Sequence, residues 1–438
     1  FSKIMRLAYF SPLNPQRSGI SDYSEELLPT LAEGAQIDLF VDGFEPDNQE
    51  MTGAFRVYDY RNHPEVLESL GSYDAVLCQM GNNHRYHRGI YEVASAKPAI
   101  IVFHDFALQN FFLERSRELR DPDAYLNELE ASASLEIRRE AQEALERGAA
   151  PPQYHNPVGF PMNSRLANRA EGIIVHSEWS RSRLARVAPG VPIAKINQHV
   201  RGANSKPVGS TDPEKGTVSI ASFGFITPSK GLESAIRALA VLKSDHSFHY
   251  YLVGEPNRYF DVGELTRKYG MTDRVYMTGY VSLEEFNRRI AKTDIAINLR
   301  DQTVGETSAS LCRLMAAGVP AIVSNIGWFS ELPGDCVVKI EPGPDADLLI
   351  CAYLKELIQN RKLRHEIGLN ARKLMVAKHK VEQTAATYLN FIDYVIRRRA
   401  HRSFMDSVSS EIACLSSVEP DELLLRGVAP SISELVSH

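Results

Sequence analysis

The sequence predicts an α/β protein made of two Rossmann-like, doubly wound parallel-sheet domains facing across a cleft. Three observations carry that expectation. Short β-branched apolar runs alternate with amphipathic helical stretches, the pattern of strands covered on both faces by crossover helices. A segment rich in Gly, Pro, Ser and charge, Arg201–Gly216, separates one set of these units from the next. The chain has 438 residues, too many for one ordinary core.

In chain order, the first set of runs is MRLAYF (Met5–Phe10), IDLFV (Ile37–Val41), DAVLCQM (Asp74–Met80), AIIVF (Ala99–Phe103) and GIIVH (Gly172–His176). Ala107–Gly148 interrupts it with a charged helical pattern that includes SLEIRREAQEALERG. A solvated helical excursion is the plain reading there, and a binding or membrane-surface face the alternative. The second set is VSIASF (Val218–Phe223), HYYLV (His249–Val253), RVYMT (Arg274–Thr278), DIAINL (Asp294–Leu299) and PAIVS (Pro320–Ser324). Beyond Val381 a long helix is expected to about Arg399, then a tail in which Leu423, Leu424 and Leu425 have helical spacing but no legible chemistry. The expected boundaries are 1–208 with the excursion 107–148, 209–382, a helix 383–400 crossing back to the first domain, and a tail 401–438.

Hydrophobic content of 44% and charged content of 24% describe an ordinary globular chain. A net charge of -6 gives no general attraction to nucleic acid. Five cysteines, Cys78, Cys312, Cys336, Cys351 and Cys414, are scattered with no Cys-x-x-Cys pair. That argues for reduced thiols in the cytoplasm and against a disulfide framework or a zinc site. No apolar run approaches the roughly 20 residues of a membrane-spanning helix. Phe1–Ile4 precede a plausible start at Met5, and nothing there resembles a signal peptide.

Ligands of open α/β sheets collect at the carboxyl ends of strands, where helix N-termini point. After the first run, Ser18-Gly19-Ile20 lets the backbone approach a phosphate or sugar, or is a simple strand-to-helix turn. His104 and Asp105 leave a buried strand, where an imidazole could donate to a sugar hydroxyl or a diphosphate oxygen, or cap its own loop. His176 sits similarly but precedes a helix start and is taken as structural. Gly224 ends the first strand of the second set, and Lys230-Gly231 opens a helix there. A lysine at that end opposes the helix dipole unless an anion neutralises it. Gly254-Glu255 and Gly279-Tyr280-Val281 offer backbone groups for a nucleotide base. In LRDQTVGETSASLCRLMAAGVPAIVS (Leu299–Ser324), Gly305 frees the backbone while Thr307 and Ser308 can cap a helix running to about Ala317. Glu306 beside that anion site either caps the helix or faces a sugar, and Arg313 lies seven residues on, on the same helical face.

These motifs, with the helix end AAGVPAIVS and the following IGWFSEL, resemble in their order a retaining glycosyltransferase of the GT-B fold, glycosyltransferase family 4, of the bacterial polysaccharide-assembly type. The resemblance runs from Met5 to about Arg399. It implies transfer of a sugar from a nucleotide-diphosphate sugar, with a UDP- or GDP-sugar as donor, to a glycan, lipid-linked or other acceptor, with retention of configuration. The donor would lie on the second domain and the acceptor on the first. No metal or other cofactor is implied, and Asp121-Pro-Asp123 and Asp345-Ala-Asp347 read as surface carboxylates. Carried over, Gly19 faces the donor phosphates, His104 the transferred sugar and Lys230 the diphosphate. Thr307 and Ser308 serve the β-phosphate, and Glu331 matches the family's Gly-Gly-x-x-Glu turn. The family's arginine partner of the lysine falls on Phe225, and its Glu-x7-Glu pair on Gly305 and Arg313. Glu306, one place on, is expected to take the first glutamate's role, and Arg300 to restore the charge lost at Phe225. The expected catalytic residues are therefore Glu306, Lys230 and His104. Two other readings stay open: a non-catalytic sugar-nucleotide-binding partner of another transferase, or a GT-B enzyme such as a nucleotide-sugar epimerase. A nicotinamide oxidoreductase is poorly supported, since no Gly-x-Gly-x-x-Gly follows a strand. The protein is expected in the cytoplasm, with contact at the inner face of a membrane left open.

Overall fold

In the computed structural model, residues 4–131, 133–201, 216–257 and 260–416 are described. Most of the expected linker, and the tail beyond 416 with its three leucines, lie outside them.

The first sheet is built from β1 (Met5–Phe10), β2 (Ala35–Val41), β3 (Arg56–Asp59), β4 (Ala75–Met80), β5 (Ile100–Phe103), β6 (Gly172–Val175) and β7 (Ile193–Lys195). It is parallel with order β3-β2-β1-β4-β5-β6-β7, and Leu7 pairs with Ile37 on one side and Ala75 on the other. The second sheet holds β8 (Val218–Phe223), β9 (Phe248–Val253), β10 (Val275–Met277), β11 (Ile295–Asn298), β12 (Ala321–Ser324) and β13 (Val338–Ile340), in the order β10-β9-β8-β11-β12-β13. Every predicted run forms a strand: the central ones are covered on both faces, and β10, at the edge of its sheet, leaves Tyr276 and Met277 exposed. β4 and β5 are buried at every residue. Three strands had no expectation: RVYD at β3, IAK at β7 and VKI at β13. All three are edge strands, short and half-exposed, so their sequences need not be apolar.

The helices of the first domain are α1 (Gly19–Leu31), α2 (Gln49–Ala54), α3 (His84–Ala96), α4 (Gln109–Leu119), α5 (Asp123–Leu129), α6 (Leu135–Glu146), α7 (Ser164–Arg169) and α8 (Glu178–Val187). Those that follow are α9 (Leu232–Leu242), α10 (Val262–Lys268), α11 (Leu283–Ile290), α12 (Ala309–Ala317), α13 (Ala346–Gln359), α14 (Arg361–Lys378) and α15 (Val381–Ser416). The excursion is not simply solvated. Phe111, Phe112 and Leu113 of α4 and Tyr125, Leu126 and Leu129 of α5 are buried in the first-domain core. Only the charged α6 keeps most of its surface in water, burying Ala141 and Ala144. The last helix does not stop near Arg399 but continues to Ser416.

Both sheets reverse their strand order at a switch point, between β1 and β4 in the first and between β8 and β11 in the second. The start of α15 returns to the first domain: the buried hydroxyls of Tyr23 in α1 and Tyr388 are 2.7 Å apart. Where the chain passes Asn197–Val200 it meets the α14–α15 junction, Val200 N–H donating to His379 O at 2.9 Å and Thr384 Oγ1 to Asn197 O at 3.1 Å.

Candidate active site

A cavity of about 850 Å³ opens at the carboxyl ends of β1 and β8, between the two sheets. Gly19, Gly224, Lys230, Glu255, Tyr280, Arg300, Glu306, Thr307, Ser308 and Arg313 all line it. Sequence reasoning thus gathers most of its candidates into one place. Gly305, Glu331 and His104 lie elsewhere.

Ser308 is the N-cap of α12, its Oγ accepting from Leu311 N–H at 3.3 Å, and Ala309 and Ser310 of the first turn also face the cavity. The helix ends at Gly318, whose φ of 79° is the left-handed conformation a helix stop favours. Ser18 caps α1 in the same way, accepting from Ile20 N–H at 3.2 Å. Nothing lies within 4 Å of a Cβ built on Gly19, so its lack of a side chain leaves open space.

Lys230 is placed differently from expectation. It ends a short 3-10 turn, Pro228–Lys230, and α9 begins only after Gly231, whose φ is 58°. Lys230 therefore stands outside the first turn of α9 and does not oppose its dipole directly. Its half-buried ammonium folds back to the strand end, Nζ lying 3.5 Å from Phe223 O. The empty side of Gly224, φ 96°, makes room: a Cβ there would sit 2.8 Å from Nζ. Burial first, and Arg300 second, push the lysine down to about 7, with Glu306 opposing. A cation so displaced from its usual range is one that an anion would restore.

Arg300 at the end of β11 does not offer a free charge. Its Nε donates to Glu306 Oε1 at 2.8 Å, its NH1 to Leu299 O at 2.7 Å and to Asn298 Oδ1 at 3.2 Å, and it lies 5.2 Å from the Phe329 ring centre. Glu306 is occupied on both oxygens, Oε2 accepting from Thr303 Oγ1 and Val304 N–H, each at 3.0 Å. Since Ser308 is the N-cap, Glu306 does not cap α12; its carboxylate closes the preceding loop on itself. Phe225, where the family arginine was expected, is exposed at the cavity.

Three expected positions are corrected by their surroundings. Gly305 is not on the cavity wall: with φ 80°, it presses against the first domain, where a Cβ would collide with Phe106 and come within 2.8 Å of Trp179. The same loop is tied there by Ala107 N–H to Val304 O at 2.8 Å and Ser180 Oγ to Gly305 O at 3.1 Å. Glu331 caps α8 of the first domain, accepting from Glu178 N–H at 3.1 Å and Trp179 N–H at 2.5 Å. His104 packs behind Tyr23 at 4.8 Å and its Nε2 is 2.7 Å from Gln79 Oε1. Burial holds that imidazole well below its ordinary value, with His176, His87 and His199 adding to the effect. Asp105 beside it accepts from Asn82 N–H at 2.7 Å, and burial raises it to about 7. His176, expected to be structural, is buried with Nδ1 2.8 Å from Ile196 O.

Arg313 reaches the cavity, but its NH2 donates across it to Glu26 Oε1 of α1 at 2.7 Å, and both side chains are largely buried. Glu26 belongs to a set that sequence reasoning missed: Asp22, Glu25 and Glu26 of α1, Arg17 before it, and His199. The signal was present in SDYSEE, where carboxylates at i, i+3 and i+4 share one face of the helix following the switch-point strand. Arg17 spans the cavity mouth, 3.6 Å from Glu255 and 4.3 Å from the centre of the Tyr280 ring. Among the described residues no three His, Cys, Asp or Glu side chains come together as metal ligands would. Of the Asp-x-Asp strings, Asp347 pairs with Arg237 and Asp123 with Arg138.

Two parallel-sheet domains with an anion-suited cavity at their facing switch points are the GT-B glycosyltransferase architecture. Residues 209–374, which span the second sheet and its helices, match the family model "Glycosyl transferases group 1". A curated relative, the 2-deoxystreptamine glucosyltransferase of Streptomyces kanamyceticus, is 26% identical over 139 residues, covering 31% of this chain and only 35% of that protein. Solved structures of the same fold include sucrose-phosphate synthase from Thermosynechococcus elongatus, with a TM-score of 0.61 and 16% identity over 90% of this chain and 100% of the other. Anabaena HepE, solved with UDP and glucose, gives a TM-score of 0.60 at 17% identity over 89% of this chain and 99% of the other. At such identities the likeness is one of fold.

Proposed function

We propose that the protein is a retaining, metal-independent glycosyltransferase of family 4 that moves a sugar from a UDP- or GDP-sugar to a glycan, lipid-linked or other acceptor in bacterial-type polysaccharide assembly. The observation that carries this reading is Lys230: a half-buried ammonium at the second switch point, pushed down to about 7, across the cavity from the first turn of α12. Departure of a sugar builds negative charge on the diphosphate, and a fixed cation with free helix N–H groups stabilises that charge most in the transition state. In this scheme Glu306 acts by holding Arg300 and the 303–306 loop in place, and Arg17 with Tyr280 faces the nucleotide end. Work in the cytoplasm suits such a donor, and no helix among the described residues is long and apolar enough to cross a membrane.

Calorimetric titration of UDP, UDP-glucose, GDP and GDP-mannose in the presence of EDTA tests the proposal. One nucleotide should bind with the chelator present, and Lys230→Ala should weaken it and lower turnover by roughly 100-fold, the scale of one charge-stabilising group. No binding by any of them, or binding that needs a divalent ion, would overturn it. The full engagement of Glu306 favours one second reading, a protein that binds the sugar nucleotide without turning it over. Tight binding with no release of nucleotide in the presence of any acceptor would select it.

A further inference from the structure

We propose that the base of the donor is guanine, selected by the carboxylate of Glu255 beside the ring of Tyr280. The inference rests on the donor reading above and narrows it from two bases to one.

Two loops of the second domain meet at the cavity mouth. Gly254, after β9, forms an isolated bridge with Gly279, after β10, so the residues that follow them, Glu255 and Tyr280, stand side by side. This corner is fixed to the strand end that carries Lys230. Ile226 N–H donates to Glu255 O at 2.8 Å, and a Cβ on Gly254 would run into the carbonyl oxygen of Gly224. Gly224 is also the residue against which Lys230 Nζ folds. Glu255, Tyr280 and Lys230 line the same cavity, so a nucleotide whose diphosphate meets Lys230 has this corner for its other end.

Arg17 shows what the corner accepts. Its guanidinium lies over the Tyr280 ring, 4.3 Å from the centre, and its Nη1 is 3.6 Å from Glu255 Oε2. A planar group with N–H donors along one edge is thus stacked on the ring while it faces the carboxylate. Guanine carries the same fork in N1–H, C2 and the 2-amino group. Stacked on Tyr280, it gives one N–H to each oxygen of Glu255, a charge-assisted pair. Uracil has a single N3–H between two carbonyls. One oxygen of Glu255 would gain a bond there, while the other would meet a lone pair. The corner therefore opposes uracil as well as attracting guanine. Arg17 is a replaceable occupant. At 3.6 Å it completes no hydrogen bond with Glu255, and with a side chain 54% exposed it passes readily to water when a base enters.

The test is calorimetric titration of GDP, IDP and UDP into the protein. IDP is GDP without the 2-amino group, so it removes one arm of the fork and leaves the rest of the nucleotide unchanged. GDP should bind about tenfold more tightly than UDP, the scale of hydrogen bonds to a charged group that is itself 43% exposed. IDP should bind about threefold more weakly than GDP. Glu255→Gln, at a position open to solvent, keeps one acceptor and turns the other into a donor; it should bring all three dissociation constants to within about twofold of one another. UDP binding as tightly as GDP or more so, equal affinities for GDP and IDP, or preferences untouched by Glu255→Gln would overturn the proposal and leave the donor reading standing. Binding of none of the three would overturn both.

Discussion

The stretch Leu299–Glu306 borders two regions that differ in how completely their polar groups are satisfied. At the seam with the first domain, Val304 O, Gly305 O and both oxygens of Glu331 receive hydrogen bonds from α8 or the Phe106–Ala107 turn, and Gly305 leaves no room for a side chain. At the cavity floor a few residues away, Lys230 has only a 3.5 Å carbonyl contact and the first turn of α12 faces open space. A joint is built to be complete without a ligand; a binding floor is left short of partners. The difference explains why candidates chosen by chain position divided as they did. Glu331 and Gly305 look like donor ligands in the chain but serve the joint.

Substitution should separate the regions. The largest effect is expected at the seam. Gly305→Ala must put a Cβ into Phe106 at a left-handed φ, costing about 3 kcal/mol or more of stability by denaturant unfolding. A loss under about 1 kcal/mol would show that the joint yields. Next comes Arg313→Ala, which strands Glu26 with its other face buried and should cost about 3 kcal/mol, the lower end for breaking a buried pair. Sequence reasoning assigns Arg313 to the donor instead. A variant of unchanged stability that binds UDP more weakly would restore that assignment, and a double-mutant cycle with Glu26→Gln measures the pair directly.

On the floor, the expected effect is on protons. Free Lys230 holds its proton only below about 7, and a bound diphosphate should raise that value. Nucleotide binding at pH 8 should therefore take up a proton, seen as a buffer-dependent heat, and affinity should fall as pH rises above 7. Lys230→Met should abolish the uptake. For folding the sign is opposite to that of an ordinary salt-bridged lysine: the unfolded chain keeps this proton up to the usual lysine range near 10.5, so Lys230's contribution to stability improves as pH rises from 7 toward 10.5. The smallest effect is at Glu331→Gln, which keeps an acceptor for the α8 start but loses the charge. About 0.5–1 kcal/mol is expected, with no change in nucleotide affinity.

Local pattern made the central strands and helix starts legible. β8 and α12 are framed by apolar runs, caps and a closing glycine, and each signal lies within one element. Of the four edge strands only β10 was legible, through the run RVYMT; exposure relieves β3, β7 and β13 of an apolar pattern. At the site, Gly224, Lys230 and Ser308 were legible because strand ends and helix starts point to the same place in any doubly wound sheet. What escaped is long in range. Arg313 and Glu26 are 287 residues apart, and Glu331 is 152 from Trp179. No spacing rule reaches that far. The acidic face of α1 was visible but had no meaning until the second domain stood opposite it.

The hydroxyl pair of Tyr23 and Tyr388 spans 365 residues of chain. On a ribosome, α1 emerges early and then waits through the synthesis of the whole second sheet for the residue that meets its buried tyrosine. Leu389 waits with it, since it packs where a side chain on Gly34 would go. The first domain is thus finished by the last helix, and a fragment ending at residue 380 would display an incomplete α1 face to any chaperone or protease that found it.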